Sequence, residues 1–242
     1  MPEAARFPVV DGVLFDIDET LVDLETAMGR TLHYIGAETL AHLSETEWAD
    51  YKRLFTSDPH GYYDRFLAGE LTFTEQRIGR ARHAHAGYLT EPFEGDVAHR
   101  WNQAYEATLP LHFEPYDDVT PLLEKLQSAE VPFGAVSNNV HDYQRAKLDR
   151  AGLQCIAALV GIDAVGAAKP DPAIFLEGAR RLGTAPERTL YVGDNRVVDA
   201  EGAVAAGLVG VWLDRCGAGY DGYIGHRITG LADVLQFLPH VR

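Results

Sequence analysis

The chain has 242 residues, 46% hydrophobic and 24% charged, a globular profile long enough to bury a core without disulfides or structural metals. Lys and Arg total 21 against 36 Asp and Glu, a net charge of −15, which argues against nucleic-acid binding and against docking on anionic membranes. An anionic small molecule stays possible, because a site can be locally positive inside an acidic protein.

Residues 9–15 (VVDGVLF) are a short apolar run that stops at Asp16 and predicts a buried strand. From residue 22 to 108 no strand is convincing. Helix-like segments there break at 57–61, Gly69 and Glu91-Pro92, which predicts four or five helices. Residues 109–115, with two prolines, read as a return linker. A helix is expected over 119–129, with Leu122, Leu123 and Leu126 at helical spacing, then a strand over 131–136. A helix follows over 141–151, burying Tyr143, Ala146 and Leu148, then a weaker strand over 155–160. Pro172 opens a helix that runs to 182, residues 189–192 form a strand, and a helix over 197–206 ends at Gly207. A strand over 208–213, a Gly-rich loop at 217–225 and a closing helix around 231–238 complete the chain. This alternation implies βαβ units and a parallel sheet.

In such sheets ligands bind outside the carboxyl ends of the strands. Asp16 and Asp18, Ser137 to Asn139, Lys169, Asp194 and Asp199 all fall at or after strand ends. Each has a plainer reading. Asp16-Ile17-Asp18 also suits a turn. Ser137, Asn138 and Asp194 also suit helix N-caps. Lys169 also suits a solvated surface. Yet Lys is scarce here, only Lys52, Lys125, Lys147 and Lys169, and Lys169 sits rigidified before Pro170. Asp16 and Asp194 could together offer the carboxylate oxygens that Mg²⁺ prefers.

The ordered set of FDIDETL (15–21), VSNN (136–139), AKPDPAIF (168–175) and YVGDNRVVDAEGA (191–203) resembles the haloacid dehalogenase-like superfamily, in its phosphatase branch. The resemblance implies an α/β fold: a Rossmann-like parallel sheet core flanked by helices (1–21 and 109–242), with an inserted all-helical cap domain (22–108). It implies Asp16 as a nucleophile that forms an aspartyl-phosphate, and Asp18 as a general acid/base that arrives protonated. It implies that Lys169 bridges nucleophile and phosphate. Ser137 and the Asn138 N–H would hold phosphoryl oxygens, and Thr20 would orient the substrate side by hydrogen bonding. The implied cofactor is Mg²⁺, held by Asp16, the backbone carbonyl of Asp18 and Asp194, with Asp199 as a further ligand or as an anchor for the metal's waters.

Haloacid dehalogenases lack the second Asp of the first motif, because a halide leaves without a proton. Phosphonatases lack it too and use a cap lysine. Asp18 therefore favours hydrolysis of small-molecule phosphate monoesters. A phosphomutase of the β-phosphoglucomutase type keeps the same Asp pair; a 2-haloacid dehalogenase and a non-catalytic binding protein are further alternatives. Glu19 stands where many relatives have Gly. The cap would select the substrate, with Arg53, His60, Tyr62, Tyr63, Arg65, Arg77 and Arg80 as candidate contacts, although each Arg also reads as a solvated helix face. His83 and His85, two apart, do not share a helix face, so a zinc site is not expected.

The expected partner is a small phosphorylated metabolite, with no nucleic acid and no membrane, for a monomer or homodimer. Cys155 and Cys216 have no metal or redox spacing, no run approaches the ~18 apolar residues of a membrane span, and residues 1–6 lack a secretion-signal layout, so a cytoplasmic location is expected.

Overall fold

A computed structural model describes residues 7–89, 92–219 and 222–241. Residues 1–6, read above for a leader, and residues 220–221 of the Gly-rich loop lie outside the described part. The chain divides into two units, residues 1–23 with 114–242, and residues 24–113.

The first unit is built on six parallel strands, β1 (Gly12–Phe15), β2 (Phe133–Val136), β3 (Ala158–Val160), β4 (Thr189–Gly193), β5 (Val209–Leu213) and β6 (His226–Ile228). Their order is β3-β2-β1-β4-β5-β6. The order reverses between β1 and β4, the place where such sheets open a crevice for ligands. Register aligns the strand ends: Phe15 lies opposite both Ala135 and Val192. Five strands were expected. The sixth, β6, is three residues long and lies just past the stretch read as a Gly-rich loop.

The packing of the sheet follows from side-chain size. Leu14, Val136, Val160, Ile174, Phe175 and Tyr191 belong to one buried cluster. Ile174 and Phe175 lie on a helix, Pro172–Leu182, which Asp171 caps by accepting from the Ala173 N–H at 2.8 Å. Full burial of such side chains contributes about 1.5–3 kcal/mol each. Gly178 of that helix has Leu14 and Val136 as neighbours, and a Cβ there would lie 2.7 Å from Leu14 Cδ1, so glycine sets how closely helix and sheet approach.

Two expected helices differ in detail. Residues 141–150 are helical, but Gln144, Lys147 and Leu148 are the buried residues, Tyr143 is half-buried and Ala146 is exposed. The expected burial of Tyr143 and Ala146 assumed an apolar inner face; polar groups of the site occupy that face instead. The helix expected from residue 197 begins as a π-helical turn, Arg196–Glu201, and only Gly202–Ala205 is α-helical. Turns of that kind recur at functional sites. Residues 231–237 close the chain as a 3₁₀ helix.

The second unit is all-helical: Leu24–Gly36, Glu45–Thr56, Tyr62–Leu67, Phe73–His85 and Gly95–Thr108, then a 3₁₀ turn at Leu109–His112 where a linker was expected. Capping boxes start two of these helices, Ser44 with Glu47 and Thr72 with Glu75, each satisfying N–H groups that helix ends leave open. Tyr51, Phe55 and Tyr105 fill its core. His85 stacks on Phe93 with centroids 4.2 Å apart, and burial pulls its imidazole below the usual range.

At Gly210 in β5 an added Cβ would lie 2.1 Å from the Ala200 carbonyl oxygen, a backbone atom with no rotamer to give way. Gly210→Ala is expected to cost about 1–3 kcal/mol. Gly87→Ala, with nothing within 4 Å of its added Cβ, is expected to stay within about 0.5 kcal/mol. Denaturant melts of the two variants check this.

Candidate active site

Asp16 is the first residue beyond β1, and its N–H donates to the Val192 carbonyl at 2.9 Å. This bond continues the β1–β4 ladder and fixes where its side chain leaves the sheet. The chain then turns tightly: Leu21 and Val22 N–H groups both donate to the Ile17 carbonyl at 2.9 Å. Glu19 sits in this turn with φ +60°, a left-handed conformation that glycine adopts without strain. That explains why glycine suits the position. Here the Glu19 carboxylate accepts from Tyr116 Oη at 2.8 Å, which anchors the side chain glycine would lack.

Beside Asp16, β4 ends at Gly193. A Cβ on Gly193 would lie 2.4 Å from the Asp199 carboxylate carbon, so this glycine lets the π-helical turn press Asp199 against the strand end. Asp194 follows, with its N–H on Thr20 Oγ1 at 3.1 Å and its carbonyl accepting from Trp212 Nε1 at 2.9 Å. Thr20 is fully buried; its hydroxyl thus ties the turn after β1 to the end of β4. Asp16, Asp194 and Asp199 each offer an oxygen, and these atoms lie within 4.8 Å of one another. Among the described residues they are the group of three or more such side chains that could hold a metal ion.

Lys169 enters this cluster from across the sheet. Its Nζ donates to Asp16 Oδ1 at 2.6 Å, Asp199 Oδ1 at 2.8 Å and Tyr191 Oη at 3.0 Å. Its backbone is held by Asn138: the Lys169 N–H donates to Asn138 Oδ1 at 2.6 Å, and Asn138 Nδ2 donates to the Lys169 carbonyl at 2.9 Å. The end of β2 thereby places the lysine. Tyr191, which the sequence reading missed, donates to the Val136 carbonyl at 3.1 Å and braces the ammonium from below. The sequence offered a signal, since a tyrosine in a buried strand needs a partner for its hydroxyl.

Charge in this pocket is unbalanced. Burial drives the Asp16 carboxyl up to about 7, with Lys169 opposing and Asp199 and Asp18 adding to the rise. Burial likewise drives Asp194 up to about 8, reinforced by Asp16 and Asp199. Burial pulls the Lys169 ammonium down, but Asp16 and Asp199 outweigh it and hold it well above its usual value. Three carboxylates face one ammonium, an arrangement that a hard divalent cation would balance, with an all-oxygen donor set suited to Mg²⁺.

Asp18 points elsewhere. Its Oδ1 forms an ion pair with Lys147 Nζ, and its Oδ2 accepts from Gln144 Nε2 at 3.1 Å. The same Gln144 nitrogen donates to Ser137 Oγ at 2.6 Å. Both oxygens of Asp18 therefore accept from donors on one helix. Ser137 also spends its N–H on the Val160 carbonyl at 3.0 Å, leaving its hydroxyl as the group that can reach a ligand.

In the helical unit, Arg77 and Arg80 are buried rather than available. Arg77 bonds Asn102 at 3.0 Å and Glu106 at 2.6 Å, and Arg80 bonds the Phe55 carbonyl at 2.9 Å over the Phe55 ring. Their core positions correct the expectation of substrate contacts. Arg53 pairs with Asp50, Arg65 with Glu70 at 3.0 Å, His60 with His83 at 2.9 Å, and the Tyr63 N–H with Asp58 at 2.7 Å. Tyr62 packs against Gly79. A groove of about 570 Å³ in this unit is lined instead by residues that include Arg30, His33, Trp48, Lys52 and His112.

The glyceraldehyde 3-phosphate phosphatase of Methanopyrus kandleri is 41% identical over 113 residues, 46% of this chain and 48% of that protein. An (S)-2-haloacid dehalogenase of Pseudomonas putida is 23% identical over 235 residues, 95% of this chain and 96% of that one. The chain spans about half the length of the curated phosphatases it matches. The HAD-hydrolase YfnB of Bacillus subtilis, solved bound to magnesium, superposes with a TM-score of 0.75 at 23% identity, covering 96% of this chain and 99% of that one. A family model described as haloacid dehalogenase-like hydrolase matches residues 10–207, a span that includes Asp16, Asp18, Ser137, Lys169, Asp194 and Asp199, and the chain belongs to that family.

Proposed function

We propose that this chain hydrolyses phosphate monoesters of small metabolites through an aspartyl-phosphate on Asp16. The observation that carries the reading is the pairing of two carboxylates with different surroundings. Asp16 lies in the acidic cluster against Lys169, and Asp18 stands apart on Lys147 and Gln144. A nucleophile and a separate acid/base are what ester hydrolysis needs, whereas a departing halide needs no proton. Relatives named as phosphatases of glyceraldehyde 3-phosphate, phosphoglycolate and phosphoserine support a small phosphorylated substrate.

In this reading the Asp16 carboxylate attacks phosphorus and the ester oxygen leaves with a proton from Asp18. Lys169 holds a phosphoryl oxygen while keeping its grip on Asp16, and the Ser137 hydroxyl takes another. Water then attacks phosphorus, Asp18 receives its proton, and the bond to Asp16 breaks. Asp16, Asp194 and Asp199, with the backbone carbonyl of Asp18, would hold Mg²⁺. When bound, the ion offsets the repulsion between carboxylates and phosphate and stabilises charge on the transferring oxygens. The helical unit at 24–113 is assigned the role of a cap that selects the leaving group.

A metabolite panel with Mg²⁺ is expected to show phosphate release without halide release from 2-haloacids. Asp16→Asn is expected to abolish turnover, a loss of at least about 10⁴-fold. Retained turnover in Asp16→Asn, or halide release in place of phosphate, contradicts the reading.

The acidic cluster also predicts a pH and metal signature. With Asp16 raised to about 7 and Asp194 to about 8, the folded state holds more protons than the unfolded state above the ordinary value of 3.8. Stability in chelator therefore falls as pH rises from about 4 to 8. Mg²⁺ at 100 times its Kd is expected to raise Tm at pH 8 by about 5–10 °C. Asp194→Asn is expected to flatten the pH slope in chelator and to shrink the Mg²⁺ shift. Thermal melts with and without the ion check both.

A further inference from the structure

We propose that Gln144 and Lys147 are positioning residues for Asp18, holding its carboxylate for the step in which water releases phosphate from Asp16. The inference rests on the Asp16–Asp18 reading above.

Lys147 is 2% exposed and Gln144 is 0% exposed, and both lie on one helix, His141–Arg150. They are three residues apart, so they share a face. Lysine is almost never fully buried unless paired, and burying an unpaired amide or ammonium is costly. Leu or Met at 147 would leave the Asp18 carboxylate without its cation, so the buried lysine is matched to that carboxylate. The polar choice is explained by what these side chains touch. Lys147 Nζ takes Asp18 Oδ1, and Gln144 Nε2 joins Asp18 Oδ2 at 3.1 Å to Ser137 Oγ at 2.6 Å. One amide thus couples the proposed base to the hydroxyl proposed to hold phosphate.

The arrangement suits the second half of the reaction. The oxygen of a water molecule bonds to phosphorus and one of its protons passes to Asp18 Oδ2 or Oδ1. The P–O bond to Asp16 breaks, its electron pair returns to the Asp16 carboxylate, and inorganic phosphate departs. Asp18 must enter this step as a carboxylate with a fixed direction. The ammonium of Lys147 and the amide of Gln144 fix that direction.

The test uses the full chain with Mg²⁺ and 4-nitrophenyl phosphate, whose leaving group needs little help from an acid. Lys147→Met is expected to give a rapid burst of about one 4-nitrophenolate per site, then a steady rate about 10²-fold below wild type. The value of kcat/KM, which reports the first step, is expected to change little. Lys147→Arg, which keeps a cation, is expected to restore the steady rate to within about tenfold of wild type. A general loss of structure lowers burst and steady rates together, so a parallel fall without a burst overturns the inference. A kcat within about threefold of wild type in Lys147→Met also overturns it. If Lys147→Met does not fold, Gln144→Leu is judged by the same burst criterion. Retained turnover in Asp16→Asn removes both the underlying reading and this inference. Impaired Asp16→Asn and Asp18→Asn beside a normal Lys147→Met removes this inference alone.

Discussion

One buried ammonium organises the catalytic end of the sheet. Lys169 bonds Asp16, Asp199 and Tyr191 at 2.6–3.0 Å, and its main chain is clasped by Asn138. The ends of β1, β2 and β4 are therefore tied through one residue. Without that cation, the burial of Asp16 and Asp199 side by side would be an uncompensated cost. With it, the cluster still carries an excess of negative charge. That excess is the physical reason for assigning the site a divalent cation, and it adds to burial, the larger cause, in raising Asp16 and Asp194.

The global charge of −15 and the proposed anionic substrate are compatible for the same reason. Asp16, Asp194 and Asp199 are concentrated where a metal would turn them into a surface for the proposed phosphate. The small residues serve this placement. Gly193 admits Asp199 to the strand end, and Gly178 lets a helix lie close on Leu14 and Val136.

Much of this was legible in the sequence because the relevant residues end strands. Apolar runs stopping at Asp16, Ser137 and Gly193-Asp194 mark the edge where the site lies, and the spacing of Pro172 and Gly207 marks helix limits. What stayed hidden has physical causes. Lys147 and Gln144 lie in a helix so polar that its inner face could not be told from its outer one; only the fold shows that Asp18 waits there. Tyr191 reads as one more apolar strand residue until its hydroxyl is seen to need Lys169. β6 is too short to carry a period. Arg77 and Arg80 look like free cations in sequence, yet ring faces and carbonyls in the helical core consume them.

The central claim is that phosphorus is transferred to Asp16. Its most direct measurement is an acid-quenched single turnover with Mg²⁺ and an activated aryl phosphate, followed by mass analysis of the peptide that contains Asp16. The account predicts one phosphoryl group on that peptide at early times, decaying as inorganic phosphate appears. Phosphate release with no phosphoryl group ever found on Asp16 contradicts it.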